Sequence, residues 1–235
     1  MLFLADFANL RMMSFSTSTY ALVEKDVRSE IRTRYAFNAL LMFVVTAVST
    51  ILFALRSDNP SVELLSGMYW VVIFFTAMSG LSRIFVSEEE RGTVLVLQLI
   101  ASPTVIYFGK LLFNSALTLV LTIAVTILYV LFFPGFVINS YEILFFTVLL
   151  GSLGFAASAT IIAAIIAKAG ARGTLYPVLS LPVLIPLLMT VMNATTRALA
   201  GEPFANAIGE LQVLLGYLLV MVGGSYLLFD YVWKD

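Results

Sequence analysis

The sequence predicts an all-α integral membrane protein of six transmembrane helices. An interfacial amphipathic helix should precede the first span, and a short surface helix should lie between the second and third. Composition is the first reason. The chain has 235 residues, 61% hydrophobic and 11% charged, with a mean hydropathy of +1.02, whereas a soluble domain averages about 25% charged. That leaves too little polar material for a water-facing surface. The second reason is spacing. Charged residues leave six gaps of 19 to 31 uncharged residues, and a spanning helix needs about 20. The gaps do not alternate polar with apolar, as barrel strands would. The third reason is the placement of Lys and Arg. Eleven fall on one side of the predicted bundle, and only Arg56 and Arg197 on the other. This asymmetry predicts that both termini are cytoplasmic.

Taken in order, residues 1–19 read as an N-terminal extension outside the native fold. Asp6 and Arg11 interrupt its apolar stretch, so it lacks the h-region of a signal peptide, and Met12 or Met13 is an alternative start. Residues 20–35 form the interfacial helix. Leu22, Val23, Val27, Ile31 and Tyr35 recur at helical spacing, with Lys25, Arg28 and Arg32 facing anionic headgroups. The expected spans are 36–55, 64–82, 105–133, 143–167, 174–193 and 211–229. Residues 193–208 read as a connection between the last two.

Three stretches stand out. Residues 87–103 read SEEERGTVLVLQLIASP. The cluster Glu88, Glu89 and Glu90 suits a helix N-terminus, and the run Val94 to Ala101 is too short to cross a bilayer. The fourth span is rich in small residues at four-residue spacing, such as Ser152 with Ala156 and Ala159 with Ala163, which favours close helix packing within one subunit. The fifth span carries Pro177, Pro182 and Pro186. Each proline removes a backbone donor, so a kinked or broken helix lining the bundle interior or a cavity is expected.

Several functions are excluded. With no Cys and no His there is no thiolate metal site, imidazole base or His-ligated haem. A net charge of -1 argues against nucleic-acid binding. The phosphate-binding pattern G-x-x-x-x-G-K-[ST] is absent. Asp, Glu, Lys and Arg all read as lying at or near span ends, which leaves no buried charge for an ion or proton path. The chain reads as non-catalytic, with any transport energy supplied by another subunit.

The layout resembles the permease subunits of type-2 ABC exporters, and within them the haem exporter permease family of cytochrome c maturation. The stretches that carry this are Glu89-Glu90-Arg91-Gly92-Thr93 through Ser102-Pro103, then Phe108-Gly109-Lys110-Leu111-Leu112-Phe113-Asn114. The third is Arg172-Gly173 followed by Leu181-Pro182-Val183-Leu184-Ile185-Pro186-Leu187. The resemblance covers about Tyr20 to Trp233. It implies that residues 87–103 are a coupling helix, with Glu88, Glu89, Glu90, Arg91, Gly92 and Thr93 touching a cytoplasmic ATPase subunit that binds ATP. It also implies a haem-handling membrane subunit, a homodimer of the permease, and haem as the substrate of the complex with no cofactor bound by this chain. The location implied is a bacterial inner membrane. Two alternatives stay open: a type-2 exporter of another hydrophobic substrate, and a passive scaffold for the haem-handling subunit.

Overall fold

The computed structural model describes residues 15–33, 35–55, 60–81, 85, 88, 92–168 and 176–234, with the side chains of 31–36, 176, 177, 179 and 234 outside the description. Residues 1–14 are outside it as well. The described residues form eight helices and no strand. These are α1 (Phe15–Thr33), α2 (Tyr35–Ala54), α3 (Val62–Leu81), α4 (Val94–Ile100), α5 (Pro103–Phe132), α6 (Tyr141–Lys168), α7 (Tyr176–Ala200) and α8 (Phe204–Lys234). Six of them, all but α1 and α4, are long and apolar enough to cross a membrane.

The first four spans begin and end within two residues of the expected ones. The last two run longer. The expected connection at 193–208 shrinks to the three residues Gly201 to Pro203, because α7 continues to Ala200 and α8 starts at Phe204. Arg197 and Glu210 look like span ends in the sequence. They sit inside helices because they pair with each other at 2.8 Å, and Arg197 also pairs with Glu202 at 2.6 Å. The positive φ of Gly201 lets the Glu202 amide close back onto the Arg197 carbonyl, a Schellman end.

α6 is the centre of the bundle and packs against α3, α5, α7 and α8. In α6 78% of the apolar segment is buried, against 17% in α2 and 11% in α8. The small residues expected to pack within one subunit do so: Ser152, Gly154, Ala156, Ala159 and Ala163 are all buried inside this chain. Gly151 lets α3 approach. A Cβ there would lie 2.7 Å from the Trp70 ring. Trp70 stacks on Phe155 and donates to Thr195 Oγ1 at 2.7 Å, so one side chain ties α3 to α6 and α7. Met42, Phe53, Leu131 and Val220 point outward and are largely exposed. On a spanning bundle, that apolar exterior is the lipid-facing side.

The prolines of α7 lie differently from expectation. Pro177 is the second helical residue, where its missing N–H costs nothing. Pro182 and Pro186 sit inside a helix that continues through them, and both are on its exposed side, while Leu184, Leu187 and Val191 face inward. Neither faces the interior of this chain's own bundle. The Tyr217 hydroxyl donates to the Val183 carbonyl at 2.9 Å and pairs with Ser158 at 2.8 Å, joining α6, α7 and α8 beside the prolines.

Gly151→Leu is expected to destabilise the bundle by about 1–3 kcal/mol through overpacking against Trp70. Gly223→Ala, inside α8 at a position with nothing within 4 Å, should hold stability or raise it by up to about 1 kcal/mol. Thermal unfolding in detergent, followed by tryptophan fluorescence, checks both.

Candidate functional site

The functional centre is built where α1, α5 and the segment before α4 meet. Sequence periodicity gives α1 an apolar stripe. The structure buries a different row, Ser18, Thr19, Leu22 and Asp26, and leaves Tyr20 and Val27 exposed. The helix also begins at Phe15, so Phe15 to Thr19 belong to it. Asp26 determines which side faces in, because its partner is on α5. Gly109 on α5 allows the approach: a Cβ there would lie 3.1 Å from Leu22 Cβ and 3.7 Å from the Thr19 carbonyl.

That partner is Lys110, which is 2% exposed and seven residues into α5. The expectation that no charge lies within a span is corrected by this residue. A buried ammonium persists only where carboxylates and hydrogen bonds replace its water. Lys110 Nζ stands 2.9 Å and 3.1 Å from the two Asp26 carboxylate oxygens and 2.9 Å from Glu88 Oε1. Lys25 Nζ closes the figure, 2.6 Å from Glu88 Oε1 and 3.7 Å from Asp26 Oδ1. Two cations and two anions alternate in a neutral ring. It clamps α1, through Lys25 and Asp26, to α5 and to the α3–α5 connection.

Glu88 is 5% exposed, so the carboxylate expected to meet a partner faces inward. Lys25, expected to face headgroups, turns inward with it. Burial acts to raise the Glu88 pKa, but the Lys110 and Lys25 charges, with hydrogen bonds from Lys25 and Thr93, outweigh it and hold the carboxyl at about 2. Glu88 does not open a helix either. Gly92 has φ +64°, and the Thr93 amide donates to the Glu88 carbonyl at 3.0 Å, which is the closure of a helix C-terminus. Thr93 Oγ1 also donates to the Glu88 carboxylate. Glu89, Glu90 and Arg91 lie outside the described residues. Arg28 is exposed and paired with Glu24 one turn away, and Arg32 lies on α1 with its side chain undescribed.

α4 follows the Gly92 turn and is held flat against the bundle end. Leu97 is buried, and Gln98 Nε2 donates to the Trp233 carbonyl at 2.7 Å on the last turn of α8. Phe85 packs on Phe229 and Trp233, and Lys168 lies 5.8 Å over the Trp233 ring. The outward ridge of α4 is Leu95 and Leu99, 71% and 75% exposed. Ser102 then caps α5 by accepting from the Val105 amide, with Pro103 at the first position.

Beyond Lys110 the polar row continues along α5. Asn114, Thr118, Thr122 and Thr126 follow at four-residue intervals and lie buried or half-buried. Asn114 Nδ2 donates to Thr160 Oγ1 at 2.7 Å, Ser152 donates to Thr122 Oγ1 at 3.1 Å, and Thr126 pairs with the Tyr69 hydroxyl at 2.7 Å. Sequence reasoning missed Asp26, Lys110 and this row. The signal was present in the spacing Lys110, Asn114, Thr118, Thr122, Thr126.

Six helices long and apolar enough to cross a bilayer, with an ion clamp tying α1 to one of them, define a multi-pass membrane protein. The sequence profile described as CcmB protein matches residues 17–225, most of the chain. The chain therefore belongs to the CcmB family, whose members are the membrane components of haem export in cytochrome c maturation. No curated protein matches the sequence.

Lys110→Met leaves buried Asp26 with only Lys25 at 3.7 Å and should cost about 3–5 kcal/mol of stability. Adding Glu88→Gln should return part of that loss, as read by denaturant unfolding in micelles. The clamp is also acid-labile. The folded carboxyl titrates near 2 and the unfolded one near 4.5, so the unfolded state binds more protons between these values. The Glu88 contribution is complete above about pH 4.5 and is lost as pH falls toward 2. A pH series of melting temperatures for wild type and Glu88→Gln checks this, since the variant should lack that part of the slope.

Proposed function

We propose that this chain is the permease subunit of an ATP-driven haem exporter. In this reading two copies act with two ATPase subunits and a haem-handling membrane subunit in a bacterial inner membrane, with both termini cytoplasmic. The chain binds no cofactor itself. The observation that carries the reading is the clamp. A segment between two spans, carrying no catalytic group of its own, is fixed to the first helix and to a spanning helix by four charges. Force applied to α4 from outside would reach α1 and α5 together. The sequence holds no nucleotide-binding pattern, so that force would come from a separate ATPase.

Because Glu88 faces inward, the contact with the ATPase falls on the Gly92 turn and on the ridge of Leu95 and Leu99. The acidic residues then serve to orient the element. The unequal Lys and Arg distribution supports a cytoplasmic placement for this end. Haem would be handled by apolar and aromatic surface, and the partner subunits would carry the iron ligands.

Two experiments test the reading. A gentle-detergent pull-down of the tagged chain from native membranes should recover an ATPase and a haem-bearing membrane protein, the latter seen by absorbance. Recovery of an ATPase without haem would favour another hydrophobic cargo. Leu95→Asp with Leu99→Asp should lower ATPase recovery by about tenfold, the effect of losing roughly 1.4 kcal/mol from an interface. Unchanged recovery would contradict the placement of the contact.

A further inference from the structure

We infer that the cleft between the last turns of α6 and α8 binds an anionic phospholipid, whose phosphate meets Lys168. The cleft holds about 390 Å³ and is lined by Ile165 and Lys168 of α6 and by Tyr231 and Val232 of α8. Ile165, Lys168 and Tyr231 are exposed, so it opens on the outer surface of the bundle. Its depth in a bilayer follows from helix length. α6 has 28 residues, about 42 Å at 1.5 Å per residue, and a bilayer with its headgroup layers is about 40–45 Å thick. Glu142 stands in the first turn of α6 and Lys168 is its last residue. Lys168 therefore sits at headgroup depth, and Ile165, one turn back, at the acyl boundary.

Two donors at this corner have no acceptor among the described residues. Lys168 takes part in none of the ion pairs found there, and its ammonium lies 5.8 Å over the Trp233 ring. Trp233 is itself buried, and its indole N–H is unpartnered. Lys110, the other lysine of a spanning helix, has Asp26 and Glu88 to neutralise it. Lys168 has no such pair, so its counter-charge comes from outside the described chain. An anion with an apolar body suits both parts of the cleft: the phosphodiester reaches Lys168, and the first methylenes of the tails cover Ile165 and Val232. Basic clefts between spanning helices at headgroup depth take anionic lipids in this way. A free phosphate would meet the charge and leave the apolar wall bare. A seated lipid would also brace α4, because the Trp233 carbonyl beside the cleft accepts from Gln98. None of this depends on the haem reading.

Trp233 is a built-in reporter, and the one other tryptophan, Trp70, is buried inside the bundle and gives a constant background. The full chain would be reconstituted in phosphatidylcholine vesicles in which a minor fraction of the lipid is brominated near the headgroup. That fraction is phosphatidylglycerol in one arm and phosphatidylcholine in the other. The attraction of one lysine for an anionic lipid gives a preference of about fivefold, which fills roughly a third of the clefts when about one lipid in ten is the anionic one. Brominated phosphatidylglycerol should therefore quench Trp233 about threefold more than brominated phosphatidylcholine. Lys168→Gln should remove that excess and Lys168→Arg should keep it. Arg28→Gln, an exposed cation at the same end of the bundle, should leave it unchanged. Equal quenching by the two lipids in the wild type, or an excess that survives Lys168→Gln, overturns the inference. So does an equal loss in Lys168→Gln and Arg28→Gln, which would mean general surface attraction. Displacement of the brominated lipid by inorganic phosphate would assign the cleft to a free anion and overturn the lipid site.

Discussion

An ammonium group inside an apolar bundle constrains everything near it. Lys110 lies 2% exposed on α5, where an unpaired charge would cost several kcal/mol. Its two carboxylate partners must therefore be delivered from elsewhere in the chain. Asp26 comes on α1, which fixes the side of that helix that faces in and requires Gly109 for the approach. Glu88 comes on the α3–α5 connection, which fixes where that connection turns and hence where α4 lies. Lys25 completes neutrality. The helix α1, the Gly92 turn and the foot of α5 thus form one unit.

This unit gives the fold a mechanical asymmetry. At the α4 end, charges, the capped turn and the Phe85–Phe229–Trp233 aromatics bind segments distant in sequence. At the opposite end, Tyr69, Trp70, Tyr129 and Phe136 pack edge to face, and the Arg197 ion pairs close the α7–α8 turn. Between them, α5 and α6 meet along back-bonded hydroxyls and small residues. Such contacts let helices approach closely in lipid.

Much of this was legible in the sequence. The six spans followed from charge spacing, because charges are costly in a bilayer interior and mark boundaries. That logic failed where charges pair inside the chain. Arg197 and Glu210 neutralise each other and let α7 and α8 run on through what read as a loop. Lys110 failed it more completely: at the edge of an uncharged gap it looked like a span end, and its partners lie 84 and 22 residues away in sequence. The α1 stripe misled for the same reason, since hydrophobic periodicity cannot register a buried aspartate. Glu88 and its neighbours suited a helix start by dipole alone, whereas Gly92-Thr93 carried the stronger signal of a helix end. The α7 prolines sit on the lipid side, where an apolar ring is accommodated.

The most direct test of the central claim is a double-mutant cycle on Lys110→Met and Glu88→Gln, measured as unfolding free energy in a fixed detergent. A clamp in which these groups neutralise each other predicts a coupling of about 0.5–3 kcal/mol, with the double variant less damaged than the two losses summed. Additive losses would show that Lys110 and Glu88 act independently, and the ring would not be what holds α4 in place.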